Sequence, residues 1–141
     1  MTIRDAKSTD VTEINKLSEA LGYGDVTIEA AAYRLNTIIN SSADKLWVYE
    51  DHNQLIGWIH LFVANRVASP SFVEIGGLVV SSDFRGSGIG RSLVEEAANW
   101  AKSKDLKIRV RCNVKRTETH KFYEAIGFKS TKSQHVFEGS L

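Results

Sequence analysis

The sequence predicts a mixed α/β layer fold in the order β-α-α-β-β-β-α-β-α-β. Three observations carry that expectation. Apolar residues first recur at helical spacing, as in Val11, Ile14, Leu17 and Leu21. The period then changes to strand-like runs, KLWVYE at 45–50 and QLIGWIHLFV at 54–63. Finally, a glycine-rich stretch, DFRGSGIGRSLV, joins the apolar run FVEIGGLVVS to a further amphipathic helix. With 141 residues the chain fits one compact domain, 1–141, around a single core.

Residues 2–5 read as a short first strand. Ser8, Thr9 and Asp10 offer N-caps to the first helix, and Gly22 is placed to end it. A second helix follows Thr27, with Ile28, Ala31, Leu35 and Ile38 or Ile39 inward. The turn-like Asp51-His52-Asn53 links the next two strands as a hairpin. After a loop at 65–71 holding the one proline, strand 72–81 contains Gly76-Gly77, a pair that inside a strand marks a bulge or a close backbone approach. The helix after the glycine loop runs to about residue 103 with Ile89, Leu93 and Ala97 on one face. Residues 106–112 alternate strictly, Leu106, Ile108, Val110 and Cys112 facing one way and Lys107, Arg109 and Arg111 the other. A last helix starts near Thr117, points Phe122 and Ile126 inward and ends at Gly127, and residues 128–138 read as a final strand or strand pair.

Composition excludes several functions. The net charge of +1 gives no broad electrostatic case for nucleic acid. One cysteine, Cys112, supports neither a disulfide framework nor a thiolate zinc site, and no metal is expected. The polar start MTIRDAKSTD lacks a signal peptide, and no apolar run approaches the roughly 20 residues that span a bilayer. A cytoplasmic, reducing setting with no membrane partner is the expectation.

Gly86, Gly88 and Gly90 stand at alternate positions between Arg85 and Arg91, directly before a helix. Glycine costs roughly 0.5–1 kcal/mol relative to alanine inside an element, so the cluster signals that something must come close. Converging backbone N–H groups at a helix start suit a phosphate, and side chains there would block it. A Walker A loop needs G-x-x-x-x-G-K-S/T, and no Gly-Lys follows. The dinucleotide fingerprint needs G-x-G-x-x-G in a first β-α unit, whereas three strands precede this G-x-G-x-G.

Arg85-Gly86-Ser87-Gly88-Ile89-Gly90 fits the Arg/Gln-x-x-Gly-x-Gly/Ala signature of the GNAT superfamily, the acyl-CoA-dependent N-acetyltransferases. LVVSSDFRGSGIGRSLV and the later HKFYEAIGF, at 120–128, resemble two separate motifs of that family in order and separation. The resemblance spans at least residues 72–128. It implies a central, mostly antiparallel sheet with splayed parallel strands and helices on both faces. It further implies acetyl transfer from acetyl-CoA, as co-substrate, to an amine.

That chemistry needs three aids. An alkyl ammonium, of pKa about 10.4, must lose a proton before it attacks. A leaving thiolate, of pKa about 8.5, gains from a proton donor, and the developing oxyanion needs an N–H. The resemblance implies that Arg85, Gly86, Ser87, Gly88, Ile89, Gly90 and Arg91 hold the pyrophosphate, largely through backbone N–H groups. It likewise implies that the pantetheine arm pairs with Leu78, Val79 and Val80, one of which supplies the oxyanion N–H. Glu74 stands where many members carry a catalytic base. As a carboxylate within FVEIGGLVV, its burial would push its pKa toward neutrality; a solvent-facing position or an ion-pair partner is the plainer alternative. His60 and His120 are secondary candidates, and ordered water serves in other members. Tyr123 stands where the family places the acid that reaches the CoA sulfur, with packing against the sheet as its alternative role. Where many members have asparagine, seven residues before that tyrosine, this chain has Arg116, so Asn113 and Arg116 are the remaining cofactor-contact candidates.

The acceptor is expected between the N-terminal helices and the sheet, near Tyr23, Gly24, Asp25, Tyr33, Trp58 and His60. Aromatic residues and a carboxylate there suit a small-molecule or peptide amine with an apolar body. Dimerisation through terminal strands is common in the family, which makes a homodimer an expectation. Two other classes compete: a non-catalytic acyl-CoA-binding or sensor module, and an unrelated nucleotide-binding domain.

Overall fold

A buried carboxylate fixes the start of the chain. Arg4, in β1 (Thr2–Asp5), donates to the two oxygens of Asp10 at 2.9 and 3.0 Å and to Glu50 at 2.8 Å. Asp10 Oδ2 also accepts the backbone N–H of Lys7 at 2.8 Å. The Arg4 guanidinium, more than any other group, holds the Asp10 carboxyl below the usual carboxylate range. Ser8–Asp10 therefore form a 3-10 turn rather than a side-chain cap, because the Asp10 oxygens are already engaged. Helix α1 (Val11–Ser18) and a second 3-10 turn, Glu19–Leu21, follow, and Gly22 ends them in the left-handed region at φ +83°.

The computed structural model describes residues 2–22 and 27–141. Thr27 caps α2 (Ile28–Ile39) by accepting the Ala30 N–H at 3.1 Å. Leu35 is buried and Ile38 is packed inward, whereas Ile28, at the first helical position, stays exposed.

The hairpin forms as expected. Strands β2 (Asp44–Asp51) and β3 (Gln54–Ala64) are joined by His52 and Asn53, both at positive φ, the pattern of a two-residue turn whose twist matches its strands. β4 (Phe72–Val80) pairs antiparallel with β3. β5 (Lys107–Val110) pairs parallel with β4, giving one five-stranded sheet in the order β1-β2-β3-β4-β5. β5 is shorter than the alternating run 106–112, because its partner pairs only over Phe72–Ile75.

The helices of this first unit, which ends at Arg111, cover both sheet faces. Val48, Leu46, Trp58 and Val79 form a core with Leu35, and Val11, Ile14 and Leu17 pack against it. On the opposite face, α3 (Ile89–Ser103) buries Ile89, Leu93, Val94, Ala97 and Ala101. Gly57 admits it closely: a Cβ there would lie 3.4 Å from the Leu93 side chain and 3.0 Å from the Val79 carbonyl.

The second unit begins at Cys112. Its helix α4 (Thr117–Ile126) ends at Gly127, φ +114°, as the sequence predicts. Tyr123 is buried, edge-on to Phe122 and Phe128 at ring separations of 5.0 and 5.3 Å. The expected final strand over 128–138 does not form. After Phe128 the segment is mostly polar, and its large apolar side chains there, Val136 and Phe137, are exposed. With so little apolar surface buried, nothing offsets the entropy of extending it.

Replacing Asp10 by Ala leaves Arg4 half-neutralised and the Lys7 N–H unpaired, and should cost about 3–5 kcal/mol in urea denaturation at pH 7, as for a broken buried pair. Because the Asp10 pKa is lowered on folding, its contribution is present above the unfolded value of about 3.9 and is lost as pH falls through the folded value. Asp10→Asn should flatten that acid limb. Gly76→Ala places a Cβ 2.8 Å from His60 Nδ1 and should cost about 1–3 kcal/mol in the same assay.

Candidate acetyl-transfer site

The bulge in β4 organises the first half of the site. His60 pairs with Gly77 and Leu61 with Ile75, so Gly76 is the extra residue. Pairing with β5 stops at Ile75, immediately before it. From there β4 has a partner on one edge only. The Ser81 N–H bonds to the Ile56 carbonyl at 2.8 Å, so alternation turns the peptide groups of Val79 toward β3 as well. Those of Leu78 and Val80 face the open edge. The Val80 carbonyl there accepts from Arg85 Nε at 3.3 Å.

The glycine loop continues from that edge. Gly86 (φ +81°) and Gly88 (φ +86°) occupy the left-handed region, and a Cβ on either would meet nothing within 4 Å. Gly88 is the N-cap of α3 and no side chain caps it, so the first amides of the helix have no intrahelical acceptor. Open space, left-handed backbone and a helix start without a side-chain cap suit an anion such as a pyrophosphate. The individual expectations fare differently. Gly90 lies in the first turn of α3, so two glycines rather than three supply the special backbone. Arg91 pairs with Glu95 at 3.0 Å on the surface. Ser87 Oγ donates to the Phe84 carbonyl and closes the turn. Ile89 is buried in the core.

Glu74 is not a lone carboxylate. It pairs across β3 with Phe62 and projects from the α1/α2 face with His60, its side chain 12% exposed. Arg111 Nε stands 3.2 Å from Glu74 Oε1, an ion pair without hydrogen-bond alignment, so Oε1 is buried without a hydrogen bond. The ion-pair alternative is thus realised. No local spacing announces it, since Glu74 lies in β4 and Arg111 just past the end of β5. Arg109 turns elsewhere, stacking over the Phe72 ring at 4.1 Å.

On the same face a cavity of about 440 Å³ opens between α1, α2 and the sheet, walled by Ile14, Leu35, Leu46, Trp58 and His60 among others. His60 Nε2 lies 2.7 Å from Asp44 Oδ2, and Ser41 Oγ donates to Asp44 Oδ1 at 2.6 Å. A carboxylate only accepts, so Nε2 carries a hydrogen, and in the neutral ring Nδ1 is then the acceptor. The Trp58 N–H is buried with no partner. Of the other acceptor-region residues, Tyr33 is 75% exposed and outside the cavity wall. Tyr23, Gly24 and Asp25 lie outside the described residues.

In the second unit, burial pushes the Tyr123 phenol well above its ordinary pKa, the Cys112 thiol adding to the rise and Arg116 opposing it. The phenol therefore keeps its proton through neutral pH. Asn113 is occupied locally: its Oδ1 accepts the Lys115 N–H at 2.9 Å and its carbonyl contacts His120 Nε2 at 2.9 Å. Arg116 precedes α4 and is exposed. Among the described residues there is no cluster that could hold a metal ion, and no helix is long and apolar enough to cross a membrane.

Comparison with known proteins bears on the family and the fold. Over 50 residues the chain is 44% identical to mycothiol acetyltransferase of Acidothermus cellulolyticus, a match covering 36% of this chain and 14% of that protein. The crystal structure of aminoglycoside 6'-N-acetyltransferase AAC(6')-IG from Acinetobacter haemolyticus, in its apo form, superposes with a TM-score of 0.86 at 15% identity, over 100% of this chain and 99% of that one. Aminoglycoside N-acetyltransferase AAC(6')-Iy in complex with CoA superposes with a TM-score of 0.87 at 18% identity, over 99% of this chain and 95% of that one. At such identities these likenesses speak for the fold. The sequence profile of the acetyltransferase (GNAT) family matches residues 11–128, across both units, and the chain belongs to that family of acetyltransferases.

Proposed function

We infer that the whole chain, 1–141, works as one acetyltransferase domain that moves an acetyl group from acetyl-CoA to a primary amine of a small molecule or peptide. The observation that carries this is the open edge of β4 leading into the left-handed glycines of the α3 start. Acetyl-CoA, when bound, supplies the acetyl group as an activated thioester.

The first amides of α3 and the Gly86–Gly88 turn would hold the pyrophosphate, with Arg85, Ser87, Ile89, Gly90 and Arg91 framing it. Leu78 and Val80 turn main-chain groups to the edge away from β3 for an extended arm, Arg85 already holding the Val80 carbonyl, and one of their N–H groups would meet the thioester oxygen. Asn113 and Arg116 are proposed as further contacts. Glu74 is the proposed proton acceptor for the amine. Tyr123 Oη holds the proton proposed for the departing sulfur; its raised pKa keeps the phenol protonated but makes it the weaker acid toward a thiolate of pKa about 8.5.

Isothermal calorimetry should show binding of CoA and acetyl-CoA but not of ATP or NAD. An amine panel read by product mass should show acetyl transfer. Binding of CoA without transfer to any amine would mark a sensor module instead. Glu74→Gln and Tyr123→Phe should each slow turnover by about 10²–10⁴-fold while sparing CoA affinity; full activity in either variant removes that residue from its role. Gly88→Val strains a left-handed position and should weaken CoA binding more than it changes turnover of bound substrate. The raised Tyr123 pKa also has a stability consequence, since its contribution is complete below the unfolded value of about 10 and declines as pH rises toward the folded value. Melting curves from pH 8 to 11 should therefore fall more steeply for the native chain than for Tyr123→Phe.

A further inference from the structure

We propose that the cavity between α1, α2 and the sheet takes an amine with an apolar body and a single positive charge, and that His60, held by Asp44, accepts a hydrogen bond from its amine group. This rests on the acetyl-transfer reading and names its acceptor class.

The wall of the cavity sets the class. At about 440 Å³ it lies within the range of small-ligand sites. Ile14, Leu35, Ile38, Leu46 and Trp58 supply an apolar lining, and none of the described lining residues is a carboxylate. Arg34, in α2, is the one permanently charged side chain among them, and it repels cations. A polycation would need several anionic partners to offset desolvation, and this wall offers it none. An apolar monoamine has one charge to desolvate rather than several, and its ring or alkyl body buries surface against Leu35 and Trp58.

His60 supplies what the amine itself needs. Asp44 takes up Nε2–H, leaving Nδ1 as an acceptor with no partner among the described residues. Nδ1 lies beside the bulge, where a Cβ on Gly76 would come within 2.8 Å. An N–H hydrogen-bonded there is held next to the open stretch of β4. Ser41 secures Asp44 in turn, so the ring orientation is fixed from behind.

The test compares 2-phenylethylamine, n-butylamine and the polycation kanamycin as acceptors with saturating acetyl-CoA. The expected result is a kcat/KM for phenylethylamine at least tenfold above that for kanamycin. His60→Phe should raise the amine KM by about tenfold, the worth of one buried hydrogen bond, while the KM for acetyl-CoA is unchanged. His60→Asn, which keeps an acceptor near the Nδ1 position, should recover part of that loss, and Asp44→Asn should move the amine KM in the same direction as His60→Phe. Ala31→Leu, which narrows the cavity, should penalise phenylethylamine more than butylamine. Preference for kanamycin, or an amine KM indifferent to His60, overturns the proposal. If CoA binds yet no amine is acetylated, the acetyl-transfer reading fails by itself. Calorimetric titration of phenylethylamine into the protein, with and without CoA, then decides the cavity: binding weakened by Ala31→Leu supports it, and no binding overturns it.

Discussion

One inserted residue governs the architecture of the site. Side chains alternate along a strand, so an extra residue exchanges the faces of everything on one side of it. Without Gly76 as a bulge, Glu74 would share the face of Leu78 and Val80, over α3. With it, Glu74 joins Val79, Gly77 and the side chains of Trp58 and His60 on the face of α1 and α2. The same residue marks where β4 and β5 part. Glycine is needed there for plain steric reasons, because a side chain would run into His60 and Phe62.

The consequence is a division of labour between backbone and side chains. The open edge of β4 and the start of α3 present main-chain donors, the groups proposed above to meet what every acyl-CoA shares. The opposite contribution comes from side chains on one sheet face, where Glu74 is ion-paired with Arg111 and His60 is hydrogen-bonded to Asp44. Among the described residues, the buried side-chain polar atoms without a hydrogen bond, on Trp58 and Glu74, also belong to this face. Unpaired buried polar atoms cost free energy, and their concentration here matches the general tendency of functional sites to carry such costs.

What could be read in advance was local. The hairpin turn, the Thr27 cap, the Gly22 and Gly127 helix ends and the Gly76-Gly77 irregularity all follow from chemistry within a few residues. The glycine loop was legible for the same reason, although Gly90 proved to be an ordinary helical residue. Long-range partners were not legible. Nothing in the neighbourhood of Glu74 announces Arg111, and nothing near His60 announces Asp44, because both pairings depend on strand register. The missing final strand is a different kind of failure. Residues 128–138 read as a final strand or strand pair, but a strand exists only with a partner edge and buried surface, neither of which is a property of the segment.

Ile89 links the cradle to the core in a way that bears on entropy. Its amide belongs to the opening turn of α3 while its side chain is buried among the residues of that helix's inner face. The position of that N–H is therefore set by close packing, which resists small displacements, rather than by the loop itself. Gly88 can be permissive in conformation because its neighbour is not. The ordering of these donors is completed when the domain folds, so a ligand arriving at them need not supply it. Loosening the core beneath Ile89 would blunt the cradle without touching one of its donors.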